Sequence, residues 1–198
     1  MDSKLDRWNR LKEICHKCGA CGLAARRKSV VFGEGVLESR VMFVGEGPGE
    51  QEDLQGRPFV GPAGQLLDRM LAAIDLSRES SAMICNIVKC RPPGNRTPTM
   101  EEGEKCLPYL RAQVDIVRPG IIVCLGATAV RHIIGPAERI TRVRGQWLER
   151  KGYWIIATYH PAALLRDPSR KAEAWSDMQS VRAKLEELGI RHGDASMV

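Results

Sequence analysis

Apolar residues are distributed along this chain in two rhythms. Short unbroken runs alternate with longer stretches of helical spacing. Val41-Met42-Phe43-Val44, Met83 to Val88, Ile121 to Gly126 and Tyr153 to Thr158 are the runs, and each predicts a buried strand. Between them, Leu66, Leu67, Met70, Leu71 and Ile74 fall on one face of a helix over 63–76. Thr99 with Glu102 three residues on is a capping box that opens a second helix, ending near Val117. Further helices are predicted over 127–134 and 170–188. Leu5, Trp8, Leu11 and Ile14 give roughly helical spacing to residues 3–14. Arg91 to Thr99 is rich in Pro and Gly and reads as loop.

Strands that alternate with helices predict a parallel sheet covered on both faces. The strand ends then share one edge, where open α/β sheets bind their ligands. That edge would carry Gly45-Glu46, Asn86 with Lys89-Cys90, Gly126 and His160. Residues 1–190 are expected to form a single domain that includes an N-terminal Cys loop, and 191–198 a disordered tail.

At 198 residues the chain can bury a sizeable core. Its net charge of +6 suggests, weakly, a polyanionic partner. No apolar run is long enough for a membrane span. The segment MDSKLDRWNRLKEI lacks the apolar stretch of a signal peptide, so a cytoplasmic protein is expected. An odd count of seven cysteines favours metal ligation or burial over disulfides. Cys15-x2-Cys18, Cys90 and Cys106 supply four thiolates, which suit zinc or an iron–sulfur cluster alike. Cys21 extends the run as a competing ligand, discounted because two further loop cysteines are available. Cys85 and Cys124 lie inside strands and read as small hydrophobes.

The Gly-rich turn Gly45-Glu46-Gly47-Pro48-Gly49 follows the first strand but fails the dinucleotide pattern. Glu50 and Glu52 stand where that pattern needs Gly or Ala, and the acidic groups would repel a pyrophosphate. Its glycines still allow close backbone approach to a ligand.

Taken in order, GEGPGEQED, GRPFVGPAGQLLD, NIVKCRPPGNRTP, Cys106 and HPAALLR resemble the family 4 uracil-DNA glycosylases, the iron–sulfur branch of the uracil-DNA glycosylase superfamily. The resemblance spans roughly residues 10–188. It implies a three-layer α/β/α sandwich with a central four-stranded parallel sheet. It also implies a [4Fe-4S] cluster on Cys15, Cys18, Cys90 and Cys106. Phe59 would stack on a flipped uracil, Asn86 would read its edge, and His160 would donate to its O2. The backbone around Gly45, Glu46 and Gly47 would line the site. In the family 1 branch an Asp activates water from the third position of its first motif. Here that position is Gly47, so Glu46 becomes the nearest candidate. In the branch that links itself covalently to DNA, the loop after the second strand carries a reactive His. Here Arg91 to Thr97 has none, so turnover is expected.

The implied partner is uracil-containing DNA, single- or double-stranded, bound by a monomer without any membrane. Leu164 and Leu165 are candidate wedges for the gap left by the flipped base. Arg166, Arg170 and Lys171, and also Arg139, Arg142 and Arg144, are candidate phosphate contacts. Glu52 is a candidate for excluding a 5-methyl group. Two rival readings stay open: an iron–sulfur nucleic-acid-binding module without glycosylase activity, and a hydrolase of free nucleosides. The residues leave open whether other deaminated bases are removed.

Overall fold

The structure, a computed structural model, describes residues 2–190. The expected tail at 191–198 lies outside the described residues. The chain runs β1 (Glu34–Gly35), β2 (Val41–Gly45), β3 (Ala82–Asn86), β4 (Ile121–Leu125), β5 (Leu148–Arg150) and β6 (Tyr153–Thr158). These strands form one sheet in the order β1-β3-β2-β4-β6-β5. The four expected strands form its parallel centre. Two short strands, β1 and β5, add antiparallel edges to the four-stranded sheet of the sequence reading. Neither edge strand has the unbroken apolar run that marks the centre, because each is only partly buried.

Helices cover both faces. They are α1 (Lys4–His16), α2 (Glu50–Gln55), α3 (Pro62–Ala72), α4 (Met100–Val117), α5 (Gly126–Ile133), α6 (Ile140–Val143), α7 (Pro161–Arg166) and α8 (Lys171–Glu187). Strand residues alternate between two cores, as the two-residue repeat of a strand requires. Met42, Val44, Ile122 and Cys124 face one core with Trp8, Leu110 and Val130. Val41, Phe43, Ile121 and Val123 face the other with Leu67, Leu71, Met178 and Val181. The result is a three-layer α/β/α sandwich. Cys85 and Cys124 are fully buried, as expected.

The capping box at Thr99 is formed: its hydroxyl accepts from Glu102 N–H, and Glu102 accepts from Thr99 N–H. Helix α1 forms, but only part of its apolar row faces inward. Trp8 is buried, while Leu5 and Ile14 are 57% and 54% exposed. A spacing of three residues falls short of the 3.6 of a turn, so the row drifts around the helix and its ends leave the core.

Register fixes the functional edge. Gly45 pairs with Asn86, and Leu125 with Thr158, so the parallel strands all end together. The chain passes from β2 outward to β3, then returns to the other side of β2 for β4. Between β2 and β4 lies the topological switch point, where α/β sheets open a crevice.

Candidate active site

A cleft of about 530 Å3 opens along this edge, and Glu46, Gly47, Phe59, Asn86 and His160 line it together. Gly45 does not line it. It lies behind, where a Cβ would sit 2.5 Å from both Asn86 Oδ1 and the Phe59 ring. Gly45 therefore makes room for two residues of the cleft.

Asn86 ends β3 and is only 2% exposed. Its Oδ1 is buried without a hydrogen-bond partner. An unpartnered buried acceptor is costly, by roughly 1–3 kcal/mol, and calls for a donor in the cleft. The ring of Phe59 lies 5.5 Å from the His160 imidazole at an interplanar angle of 29°.

His160 caps α7, with Pro161 in the first helical position. Ala162 N–H donates to His160 Nδ1 over 3.2 Å. Nδ1 is thus the bare nitrogen, and the ring proton sits on Nε2. Burial, and then the nearby charge of Arg166, hold the imidazole down to about 4, with Glu52 opposing. His160 is therefore a neutral donor at physiological pH. Gly126, at φ +87°, lets β4 turn into α5 beside His160, where a Cβ would come within 2.9 Å of the His160 Cβ.

Glu46 follows β2, and its carboxylate accepts a short hydrogen bond from the Thr128 hydroxyl in the first turn of α5. Glu52 also borders the cleft, and it holds the loops around it. Its carboxylate accepts from the N–H groups of Gly49, Val60 and Gly61 at 3.1, 2.9 and 2.8 Å. With its lone pairs so engaged, it pins the Gly-rich turn to the Phe59 loop. Asp53 accepts likewise from the N–H groups of Lys28 and Ser29. Glu52 and Asp53 are thus internal staples of this turn.

A second, smaller cavity lies beside the segment that follows β3. Cys15, Cys18, Cys90 and Cys106 border it, and so does Cys21. A zinc ion would draw four sulfurs to one point about 2.3 Å away. Among the described residues no three metal-binding side chains converge in that way. The sulfurs instead surround a space, and N–H groups point at three of them. Ala20 N–H donates to Cys18 Sγ, the Arg27 guanidinium to Cys90 Sγ, and Lys89 N–H to Cys106 Sγ, at 3.5, 3.4 and 3.3 Å. This donor set fits a polynuclear cluster on thiolates better than a single ion.

The uracil-DNA glycosylase superfamily model matches residues 32–179. The chain is 50% identical to the type-4 uracil-DNA glycosylase of Thermotoga maritima over 81% of its own length and 84% of that relative's. It is 45% identical to the type-4 enzyme of Archaeoglobus fulgidus, covering 83% of this chain and 86% of the other. With that of Pyrobaculum aerophilum the identity is 44%, over 85% and 90%. The chain belongs to the type-4 uracil-DNA glycosylases.

The candidate phosphate contacts take different places around the cleft of this uracil-DNA glycosylase. Arg166 and Arg170 border it, and both are exposed. Arg170 packs over the Tyr159 ring at 5.1 Å and pairs with Asp167. Arg144 is not free for phosphate, because Asp177 and the Glu173 carbonyl hold its guanidinium at 2.8 and 2.6 Å. Leu164 is not presented as a wedge. It is 2% exposed and packs with Tyr159 and Ala174, since the HPAALLR segment is a helix whose inner face it occupies. Leu165 is 43% exposed. Among the described residues no helix is long and apolar enough to cross a membrane.

Sequence reasoning missed Thr128 and Arg78. Thr128 had a faint signal, as the second residue after the strand-ending Gly126. Arg78 had none, since long cations are read as surface residues, yet it is buried. Lys89 was placed at this edge by its position after the strand, but its burial was not foreseen.

Proposed function

We propose that this chain excises uracil from DNA by hydrolysing its N-glycosidic bond and leaves an abasic site, as the first step of base excision repair. The observation that carries this reading is the unpartnered Asn86 Oδ1 in a cleft that also presents Phe59 and the Nε2–H of His160. Uracil N3–H supplies the missing donor, and the Asn86 amide donates to O4. Cytosine presents the reverse pattern at that edge and leaves the buried groups unpaired. A polar site rejects such a mismatch by up to about 10⁴–10⁵-fold.

The base is flipped into the cleft at a cost of a few kcal/mol. Stacking on Phe59 offsets roughly 1–3 kcal/mol of this. Leu165 fills the vacated step, and Arg166 and Arg170 hold the flanking phosphates. As the glycosidic bond breaks, negative charge builds on uracil and positive charge on the sugar. The neutral His160 Nε2–H stabilises the charge at O2, an oxyanion-type contribution of about 3–4 kcal/mol. Glu46, oriented by Thr128, positions water and faces the sugar cation.

The cysteine cavity is assigned to a [4Fe-4S] cluster, with Cys18, Cys90 and Cys106 as three ligands. The fourth is Cys15 or Cys21, and the geometry favours Cys21. Cys15 lies in the last turn of α1, buried in the apolar core beside Trp8 and Phe32. Cys21 ends the turn whose Ala20 N–H points at Cys18 Sγ. The cluster supplies a cross-link between the N-terminal loop and the segment after β3, and hydrolysis needs no electron from it.

The test is release of uracil from a single-uracil oligonucleotide, single- or double-stranded, by wild type and His160→Ala. Release by wild type with near-total loss in the variant supports the assignment. Absence of release from iron-replete wild type that still binds DNA would favour the binding-module reading.

A further inference from the structure

The ring assigned to uracil stacking sits on a backbone that its own sequence does not favour. Phe59 has φ +54°, a left-handed conformation rarely adopted by bulky side chains. Such outliers persist only where the surroundings impose them, and they gather at functional sites. Here the imposing group is Arg78, in the turn between α3 and β3. Its side chain is 5% exposed. One terminal nitrogen donates to the Pro58 carbonyl and the other to the Phe59 carbonyl, both at 2.8 Å. Asp68 on α3 accepts from Nε and Nη2 at 2.9 and 2.7 Å and balances the charge. Gly64 completes the clamp, since a Cβ there would fall 1.8 Å from the Phe59 carbonyl oxygen.

The fork of a guanidinium matches two successive carbonyls in a way a single ammonium cannot. Those carbonyls flank the left-handed residue, so holding both fixes the peptide plane on each side of Phe59. The ring is thereby aimed at the cleft, with Gly45 leaving room behind it. We propose that Arg78 is a positioning residue that presets Phe59 to cover the flipped uracil. This rests on the reading of Phe59 as the stacking platform. Arg78 does not border the cleft and acts only through Phe59.

The test is a double-mutant cycle on Arg78→Lys and Phe59→Ala. Three readouts are taken on folded, iron-replete protein: inhibition by free uracil, single-turnover excision, and affinity for DNA without uracil. Loss of one stacking contact weakens base affinity by about tenfold or more. Arg78→Lys should therefore weaken uracil inhibition and slow excision by at least about that factor, and leave affinity for undamaged DNA unchanged. In the Phe59→Ala background the same change should add less than about twofold, because the two residues act as one unit. Should Arg78→Lys fail to fold, Asp68→Asn loosens the same clamp and enters the cycle in its place. Full additivity, or unchanged uracil inhibition in the clamp variant while Phe59→Ala loses it, would overturn the proposal. If Phe59→Ala alone binds uracil as wild type does, the stacking reading itself fails, and Arg78 loses its role with it.

Discussion

The buried ammonium of Lys89 donates to the main-chain carbonyl of Asn86 over 2.8 Å. Its second acceptor is Gln113 Oε1 at 2.6 Å, and Gln113 in turn donates to the Phe32 carbonyl. Both acceptors of the ammonium are neutral, and Lys89 is only 1% exposed. An isolated buried cation is costly. Here its own N–H also points at Cys106 Sγ, and the adjoining cavity is bordered by thiols. Four thiolates around the cluster proposed for this cavity would give the negative surroundings that this cation needs. One residue thus ties the strand end at Asn86 to the cysteine cavity.

Lys89→Met should therefore cost more than an ordinary surface change. It leaves two buried acceptors without donors, a loss of roughly 2–4 kcal/mol. That corresponds to a fall in Tm of about 5–15 °C for a chain of this size. Thermal melts with iron content measured alongside check this. A Tm within about 2 °C of wild type would remove Lys89 from the link.

Thr128 and Glu46 make a second coupled pair. Glu46→Gln should slow single-turnover excision by at least about 10²-fold if Glu46 positions the water. Thr128→Val removes the hydroxyl that orients the carboxylate and should slow excision by roughly tenfold, while Thr128→Ser keeps the donor and stays near wild type. The Thr128→Val change should have no further effect in the Glu46→Gln background. A loss below about tenfold in Glu46→Gln would end the assignment of Glu46.

The fold was legible because its central strands are buried on both faces and so read as unbroken apolar runs. Thr99 and Glu102 announced their helix through reciprocal capping. The short helix after His160 was harder to see, so Leu164 looked available when it is packed inside. The candidate site was legible where strand ends carry polar side chains, as at Asn86 and His160, which the structure brings to one cleft. It was illegible where a residue acts through the backbone of a distant loop. Glu52 holds amides of residues 60 and 61, and Arg78 holds carbonyls of 58 and 59. Such pairings depend on tertiary placement, and nothing in the local pattern of either partner records them.

His160 gives a pH prediction whose sign can be worked out. Its folded value is about 4, below the ordinary 6.5 of the unfolded chain. Between these values the unfolded state binds the proton more readily, so the wild type loses stability as pH falls from about 6.5 through 4. Above about pH 6.5 both states are neutral and His160 contributes no pH dependence. Melting His160→Asn beside wild type checks this: the difference in Tm should shift in favour of the variant as pH falls from 7 to 4.5. A difference constant over that range would show that His160 is not held neutral.

Cys15 and Cys21 offer the sharpest test of the cluster assignment, because both border the cavity and each forms a Cys-x2-Cys pair with Cys18, three positions away. A ligand thiolate is replaced poorly by a hydroxyl, whereas a buried thiol that merely packs tolerates replacement by Ala with a modest cavity cost. Cys21→Ser should therefore lose iron and the visible absorption of the cluster during anaerobic purification. Cys15→Ala should retain four irons per chain, the number a [4Fe-4S] cluster holds, and lose only about 1–2 kcal/mol of stability. The reverse pattern would return Cys15 to the ligand set. Retention of iron in both single variants, with loss only when both are changed together, would mean that either thiol can complete the site, and that the cavity is built to accept a substitute ligand from the same loop.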